Sequence, residues 1–185
     1  MRSFSRFAPW VATAILIALS AMTFSSLPDR VPQRFGFDGT VTATTSRSLL
    51  EWMLLPAIAV LTVLLMEGIS RKLPTKPHLF NYPGKEDLLA LPAEYQAPVI
   101  VAMQWTLDWI SFGTVLILLG VQWLRWHVAT GGSGQTGNVV LLLSIVLSMP
   151  LIFFLVGRVG RATDDAKERH HSMTMGRPGI KAPMR

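Results

Sequence analysis

The chain has 185 residues, of which 50% are hydrophobic and only 15% are charged, and its formal net charge is +6. Soluble domains carry about 25% charged residues, so this composition excludes an ordinary soluble fold and is typical of a polytopic membrane protein. The absence of cysteine from the sequence excludes disulfides, thiolate metal sites and covalent thiol catalysis.

The positive charge follows long apolar runs and is not carried by a separate basic module. Lys and Arg beside membrane segments set topology and contact anionic lipid headgroups. We therefore expect the lipid bilayer as a partner and no binding of nucleic acid. The sequence has neither a His-Glu-x-x-His pair nor a Gly-x-Ser-x-Gly elbow, and its histidines and carboxylates lack metal-ligand spacing. We expect no enzymatic activity, no cofactor and no metal.

Four apolar segments are predicted to cross the bilayer as helices, each near or above the ~20 residues that span it. They cover residues 8–27, 49–69, 99–126 and 139–156. The first follows Arg2 and Arg6, so a cleaved signal peptide is an alternative to an uncleaved helix. Pro56 within the second predicts a kink. The predicted fold class is an all-α integral membrane protein, a four-transmembrane-helix bundle with a short structured extracytoplasmic loop.

The loop charges predict the orientation of this bundle. Most Lys and Arg residues lie before the first segment, between the second and third, and after the fourth. The positive-inside rule then places both termini in the cytoplasm. Residues 158–185 are predicted to form a basic cytoplasmic tail, whose first part extends the fourth helix and whose end is disordered.

Polar residues recur on one face of the third segment. Helical geometry brings four of them to within about 40° of one another: Gln104, Asp108, Ser111 and Gln122. An ionisable group at depth in a membrane is costly, so Asp108 suggests ion binding or proton relay. Trp105 and Trp109 flank Asp108 and prefer the interface, which instead favours a carboxylate that orients the helix at the membrane boundary. The third interpretation is hydrogen bonding to a second helix.

Gly113 and Gly120 lie seven residues apart on the same segment. Small residues at this spacing allow close helix approach, so they predict a packing seam. The seam can lie within one bundle or between two copies, and the oligomeric state stays open.

The loop at residues 27–47 is the most distinctive stretch of the chain. Pro28 and Pro32 each restrict the preceding residue to extended geometry. Asp38-Gly39 is a turn signal, and residues 41–45 alternate in the manner of a strand. A short, stiff structure outside the membrane is predicted.

The loop contains a motif of prolines, a valine, a phenylalanine and a glycine directly after the first predicted helix: Leu27, Pro28, Val31, Pro32, Phe35 and Gly39. This motif resembles the pattern Leu-Pro-x-x-Val-Pro-x-His-Phe and then glycine of a bacterial membrane family, the domain of unknown function DUF1648. The resemblance implies that the chain lies in the cytoplasmic (inner) membrane of a bacterium. The family usually has histidine where this chain has Arg34, which cannot lose its proton, so no metal or pH role is expected there. The resemblance implies a distant relationship to toxin-immunity and signalling proteins of sporulating bacilli.

Recognition through this loop is the function that the sequence favours. The candidate binding residues are Pro28, Asp29, Val31, Pro32, Arg34, Phe35 and Gly39, and the expected partner is a peptide, a lipid or another membrane protein. The alternative is a small transporter or channel subunit that uses Asp108 and the polar face of the third helix. A structural role in packing or organising the membrane is the third hypothesis.

Overall fold

The computed structural model describes residues 2–36, 40–80 and 85–175, which fold into helices and one short pair of strands. In chain order the elements are α1 (Arg2–Phe24), β1 (Arg30–Phe35), β2 (Val41–Ser46), α2 (Leu49–Trp52), α3 (Leu54–Lys72), a 3₁₀ turn (Pro77–Leu79), α4 (Lys85–Ala90), α5 (Ala93–Ala129) and α6 (Gly134–Met175). Within the described residues three helices, α1, α3 and α5, are long and apolar enough to cross a membrane. The mainly helical architecture is thereby confirmed, together with three of the four predicted apolar helices; the fourth apolar segment lies inside α6.

The helices extend well beyond the predicted apolar segments, because hydropathy marks the part of a helix that suits lipid and not the helix ends. α1 begins at Arg2, six residues before its predicted start at residue 8, and α5 begins at Ala93, so that Pro98 lies inside the helix. α6 continues to Met175, so the predicted tail is helical from residue 158 to that point. Residues 176–185, where disorder was expected, lie outside the described part of the chain.

α5 is the central helix of the molecule and packs against α1, α3 and α6. A buried apolar cluster joins α1, α3 and α5 at mid-length: Ala12, Leu16, Ala59, Val63 and Val115. The opposite faces of α1, α3 and α6 leave many large apolar side chains exposed, among them Val11, Leu61 and Leu142. An apolar exterior around a buried core is what a bilayer requires of a helix bundle.

The predicted small-residue seam is confirmed and lies between α5 and α6. A Cβ atom on Gly113 would meet the Ser148 hydroxyl at 3.5 Å, and one on Gly120 would meet the Ser144 hydroxyl at 2.8 Å. Both serines donate their hydroxyls to carbonyls of their own helix, Ser144 to the carbonyl of Val140 and Ser148 to the carbonyl of Ser144. The glycines therefore let two helix backbones approach each other within one chain.

A second apolar core lies at the opposite end of α5 from the strands. It joins the end of α3, the short α4, the start of α5 and the C-terminal half of α6, through Leu73, Leu88, Leu91, Val99, Ile100, Met103 and Ala166. Lys167 of α6 also pairs with Asp87 of α4 at 2.5 Å. The sequence between the second and third apolar segments is thus part of a packed unit and not a plain linker.

The two strands pair antiparallel as a hairpin, so the all-α prediction needs one correction. Arg30 lies opposite Ser46, and the register is irregular between Pro32 and Phe35. β2 covers the stretch in which strand-like alternation was predicted. The turn predicted at Asp38 and Gly39 lies outside the described residues.

The seam predicts unequal effects of adding one methyl group to its two glycines. Gly120→Ala places a Cβ against Ser144 and should lower the free energy of unfolding by about 1–3 kcal/mol, the usual cost of overpacking. Gly113→Ala has ordinary van der Waals space and should be neutral. Thermal unfolding of the detergent-solubilised protein measures both variants. Ser144→Ala should relieve Gly120→Ala, and equal stability of the two glycine variants would contradict the seam.

Candidate functional site

The hairpin is held on the helix bundle by an apolar contact at the base of its first strand. Leu27 and Val31 are buried together with Trp52 of α2. Trp52 is only 2% exposed, and its indole nitrogen donates to the carbonyl oxygen of Ser20 on α1 at 2.9 Å. Burial of one large aromatic ring therefore ties the hairpin to α1 and α2 at once.

A polar contact fixes the same strand against α5. The backbone N–H of Arg47 donates to the carbonyl of Asp29 at 2.8 Å, so in the alternating antiparallel ladder the Pro32–Thr44 pair is not hydrogen-bonded. The missing N–H of Pro32 therefore costs the hairpin nothing. Its carbonyl points away from β2 and accepts a hydrogen bond from Nε of Arg125 at 3.5 Å. The Arg125 guanidinium also lies 5.2 Å from the centre of the Trp52 ring.

Two further contacts close the junction between α1 and the hairpin. Arg47 donates to the carbonyl of Leu27 at 2.9 Å, and the Trp126 indole donates to the Ser26 hydroxyl at 3.2 Å. Hydrogen bonds therefore hold the hairpin at both of its ends, after α1 and after β2. The hairpin has one defined orientation on the bundle.

The predicted loop motif divides into an anchoring half and an exposed half. Val31 and Pro32 are buried and hold the strand in place, and Phe35 is half-buried. The exposed members are Pro28, Asp29 and Arg34. Gly39 lies outside the described residues.

The residues on the polar face of α5 make separate contacts with other helices. Gln104 and Gln122 are buried and donate to backbone carbonyls of Ser70 and Trp52, at 2.6 and 3.3 Å. The Ser111 hydroxyl is buried and has no hydrogen-bond partner, and Asp108 is half-buried. The four residues share a face, as predicted, but they do not converge on one point.

The two glutamines bind carbonyls that prolines leave free. In a helix the carbonyl of Trp52 would accept from residue 56 and that of Ser70 from residue 74, and both of those residues are proline, which has no N–H. Gln122 and Gln104 supply the missing donors from α5. Gln104 and Gln122 are 18 residues apart on α5, and Trp52 and Ser70 are also 18 residues apart. The two hydrogen bonds therefore join α5 to the α2–α3 segment at points about 27 Å apart. Hydrogen bonding between helices, one of the three interpretations of the polar face, is what these two side chains do.

Asp108 belongs to a polar cluster at the opposite end from the hairpin. It accepts a hydrogen bond from the Ser5 hydroxyl of α1 at 3.1 Å. Glu67 of α3 lines the same small cavity as Asp108 and accepts from Arg6 of α1 at 2.7 Å and from Arg71 at 2.6 Å. The cluster links α1, α3 and α5 where the loop charges predict the cytoplasmic interface.

Comparison with known families bears on the segment that carries the hairpin. Residues 11–60 match DUF1648. The family is described as a domain of unknown function, and the matched DUF1648 segment runs from the middle of α1 through the hairpin into α3. The family expectation is confirmed over these residues. No curated protein and no solved structure matches the chain.

The residues that dock the DUF1648 segment were not predicted as site residues. Trp52 and Arg125 come from α2 and α5, and Arg125 lies far outside the matched segment. The one signal in the sequence was Pro56, which predicts a free carbonyl at Trp52 but not which side chain will bind it. A contact across 70 residues of chain depends on packing that periodicity does not reveal.

A double-mutant cycle tests the glutamine–proline relation. Gln122→Leu leaves the Trp52 carbonyl buried without a donor and should lower the free energy of unfolding by about 1–3 kcal/mol. Pro56→Ala restores a backbone N–H. In the Pro56→Ala protein, Gln122→Leu should therefore lower the free energy of unfolding by less than half as much. Unfolding in detergent, followed by circular dichroism, measures the four proteins. Gln104→Leu is the matched control, because Pro56→Ala should leave its cost unchanged; rescue of both glutamines or of neither would refute the relation.

Proposed function

We propose that this protein is a four-spanning membrane protein, with both termini in the cytoplasm, that recognises an extended peptide segment of a partner on the other side of the membrane through its hairpin. The observation that carries the proposal is a hairpin fixed on the bundle by its first strand, with the second strand open. The bilayer is its solvent, and neither catalysis nor a cofactor is part of the proposal. The wider resemblance to toxin-immunity and signalling proteins is compatible with peptide recognition.

The placement in the bilayer is supported by aromatic and basic residues at two levels. Trp105 and Trp126 on α5 are 21 residues apart, or about 31 Å, close to the thickness of the hydrocarbon layer. The Arg158 guanidinium of α6 lies 4.2 Å from the centre of the Trp105 ring. Arg125 and the hairpin lie at the Trp126 level. Tryptophan and arginine are favoured at such interfaces, so α5 and α6 both cross between these two levels.

A docked hairpin suits recognition because its conformation is settled before a partner arrives. The anchoring contacts of Trp52, Arg125 and Arg47 restrict the backbone, and binding then costs less conformational entropy. The exposed residues of the motif, Asp29 and Arg34 among them, are free to contact a partner from this fixed frame.

The open edge of β2 defines the chemistry of the partner. β1 lies against α5, so its far edge is covered by the Arg125 contact, whereas β2 is largely exposed along its length. Because Pro32 and Thr44 form a pair that is not hydrogen-bonded, the backbone N–H and carbonyl of Thr44 point away from β1. Unpaired backbone groups on an edge strand pair with an added strand, which is a common mode of peptide recognition.

The proposed topology can be tested with single cysteines, because the chain has none of its own. Thr42→Cys in the hairpin and Ser133→Cys between α5 and α6 should react with a membrane-impermeant maleimide applied to intact bacterial cells. Ser172→Cys near the end of α6 should react only after permeabilisation. All three positions are exposed. Labelling of Ser172→Cys in intact cells, or protection of Ser133→Cys, would exclude the crossing by α6.

Strand addition predicts a specific sensitivity of the open edge. A photo-reactive residue at Arg34 should yield a discrete adduct with one polypeptide in membranes, identified by mass spectrometry. Thr44→Pro removes an outward backbone donor, at a position where proline is compatible with an edge strand, and should abolish the adduct. Thr44→Val keeps the backbone N–H and should retain it.

The controls for this experiment separate recognition from proximity. A photo-reactive residue at Ser133 should not capture the same polypeptide. Adducts with lipid alone, or an adduct that survives Thr44→Pro undiminished, would count against strand addition at β2.

A further inference from the structure

A groove between α5 and α6 lies at the end of the bundle remote from the hairpin. It has a volume of about 390 Å³, and the residues around it include Glu94, Tyr95, Pro98, Asp165, Arg169 and Met173. On the α6 side its wall is made of Ala162 and Ala166, whose small side chains leave the space open. Tyr95 is held edge-on against His170, with ring centres 5.4 Å apart, so the base of the groove is fixed.

Lipid does not cover this groove in the proposed bilayer placement. The pair Trp105–Arg158 marks the membrane boundary, and Pro98 lies about 10 Å and Met173 about 22 Å beyond it along their helices. Met173 is nonetheless 66% exposed. In that placement the Met173 side chain is exposed to water beside the groove, so a partner that covers both would remove apolar surface from water.

The dimensions of the groove suit a helix. From Ala162 to Met173 it follows α6 for 11 residues, about 16 Å or three helical turns. Two packed helices with small residues between them offer a third helix a channel for its apolar side chains. Recognition of an amphipathic helix by a groove of this kind uses apolar anchors spaced three and four residues apart.

The charges that line the groove favour an occupant with positive charge. Glu94 on one helix and Asp165 on the other line it, and both are exposed. Arg169 is the one basic residue among those that line it in the described part of the chain. A helix with basic residues beside its apolar stripe complements this rim, and electrostatic complementarity mainly sets specificity and association rate.

We infer that the α5–α6 groove is a docking site for a basic amphipathic helix of a cytoplasmic protein. This inference goes beyond recognition at the hairpin and depends only on the bilayer placement that it shares with the proposed function. A second copy of this chain is a poorer occupant, because a two-fold contact would bring the acidic rims of the two grooves together.

Binding of a designed peptide tests the inference directly. The full-length protein is placed in nanodiscs of zwitterionic lipid, with empty nanodiscs as the background. The probe is a fluorescent 18-residue Leu/Lys peptide with leucines at helical spacing, compared with a scrambled peptide of the same composition and with a Leu/Glu peptide. Fluorescence anisotropy should show saturable binding of the first peptide alone.

A matched pair of variants locates the binding. Asp165→Lys reverses the groove rim and should weaken binding by about tenfold or more, as loss of a complementary charge pair does. Asp164→Lys makes the same change of net charge about 100° further round the same helix and should alter binding much less. Met173→Asp should also weaken binding, and circular dichroism checks that all three variants are folded.

Three outcomes would overturn the inference. These are equal losses in Asp165→Lys and Asp164→Lys, equal binding of the scrambled or the Leu/Glu peptide, and a dimer of the protein that Met173→Asp dissociates. None of them bears on the hairpin, and the cysteine-labelling pattern tests the shared bilayer placement separately.

Discussion

Two hydrogen bonds from glutamine side chains to backbone carbonyls hold this bundle in register. Both carbonyls are buried in the protein, so a carbonyl that a proline has left without its helical donor has no access to water and needs a donor from another helix. Gln122 supplies this donor for Trp52, and Gln104 supplies it for Ser70. Because Gln104 and Gln122 are separated by the same number of residues as Ser70 and Trp52, the two bonds align α5 with the α2–α3 segment over about 27 Å.

The hairpin depends on the first of these bonds. Trp52 is hydrogen-bonded to α1 through its indole nitrogen and to α5 through its carbonyl. Its side chain also packs against Leu27 and Val31. Arg125 lies one turn along α5 from Gln122, and it stacks on the Trp52 ring and reaches the carbonyl of Pro32. The break between α2 and α3 thus provides the surface on which the hairpin docks.

Much of this architecture could be predicted from the sequence, and the limits have physical reasons. Apolar length identified α1, α3 and α5, Pro56 marked the break at Met53, and Gly113 and Gly120 marked the seam, since each is a local property of the chain. Sequence periodicity placed Gln104 and Gln122 on one face, but it does not state which carbonyl a side chain meets 34 or 70 residues away. The sequence predicted that the fourth helix continues past residue 156 but not how far, because the stretch after residue 157 is polar and hydropathy does not mark the end of a polar helix.

The length of α5 has a mechanical consequence. One continuous helix of 37 residues carries Arg125, which touches the hairpin, and Glu94 and Tyr95, which line the groove at its other end, about 46 Å away. Pro98 removes one helical hydrogen bond near the first end, but from residue 99 to Ala129 the helix contains no proline, so a displacement at Arg125 is carried along most of this length. In the proposed bilayer placement, this helix links the hairpin on one side of the membrane to the groove on the other.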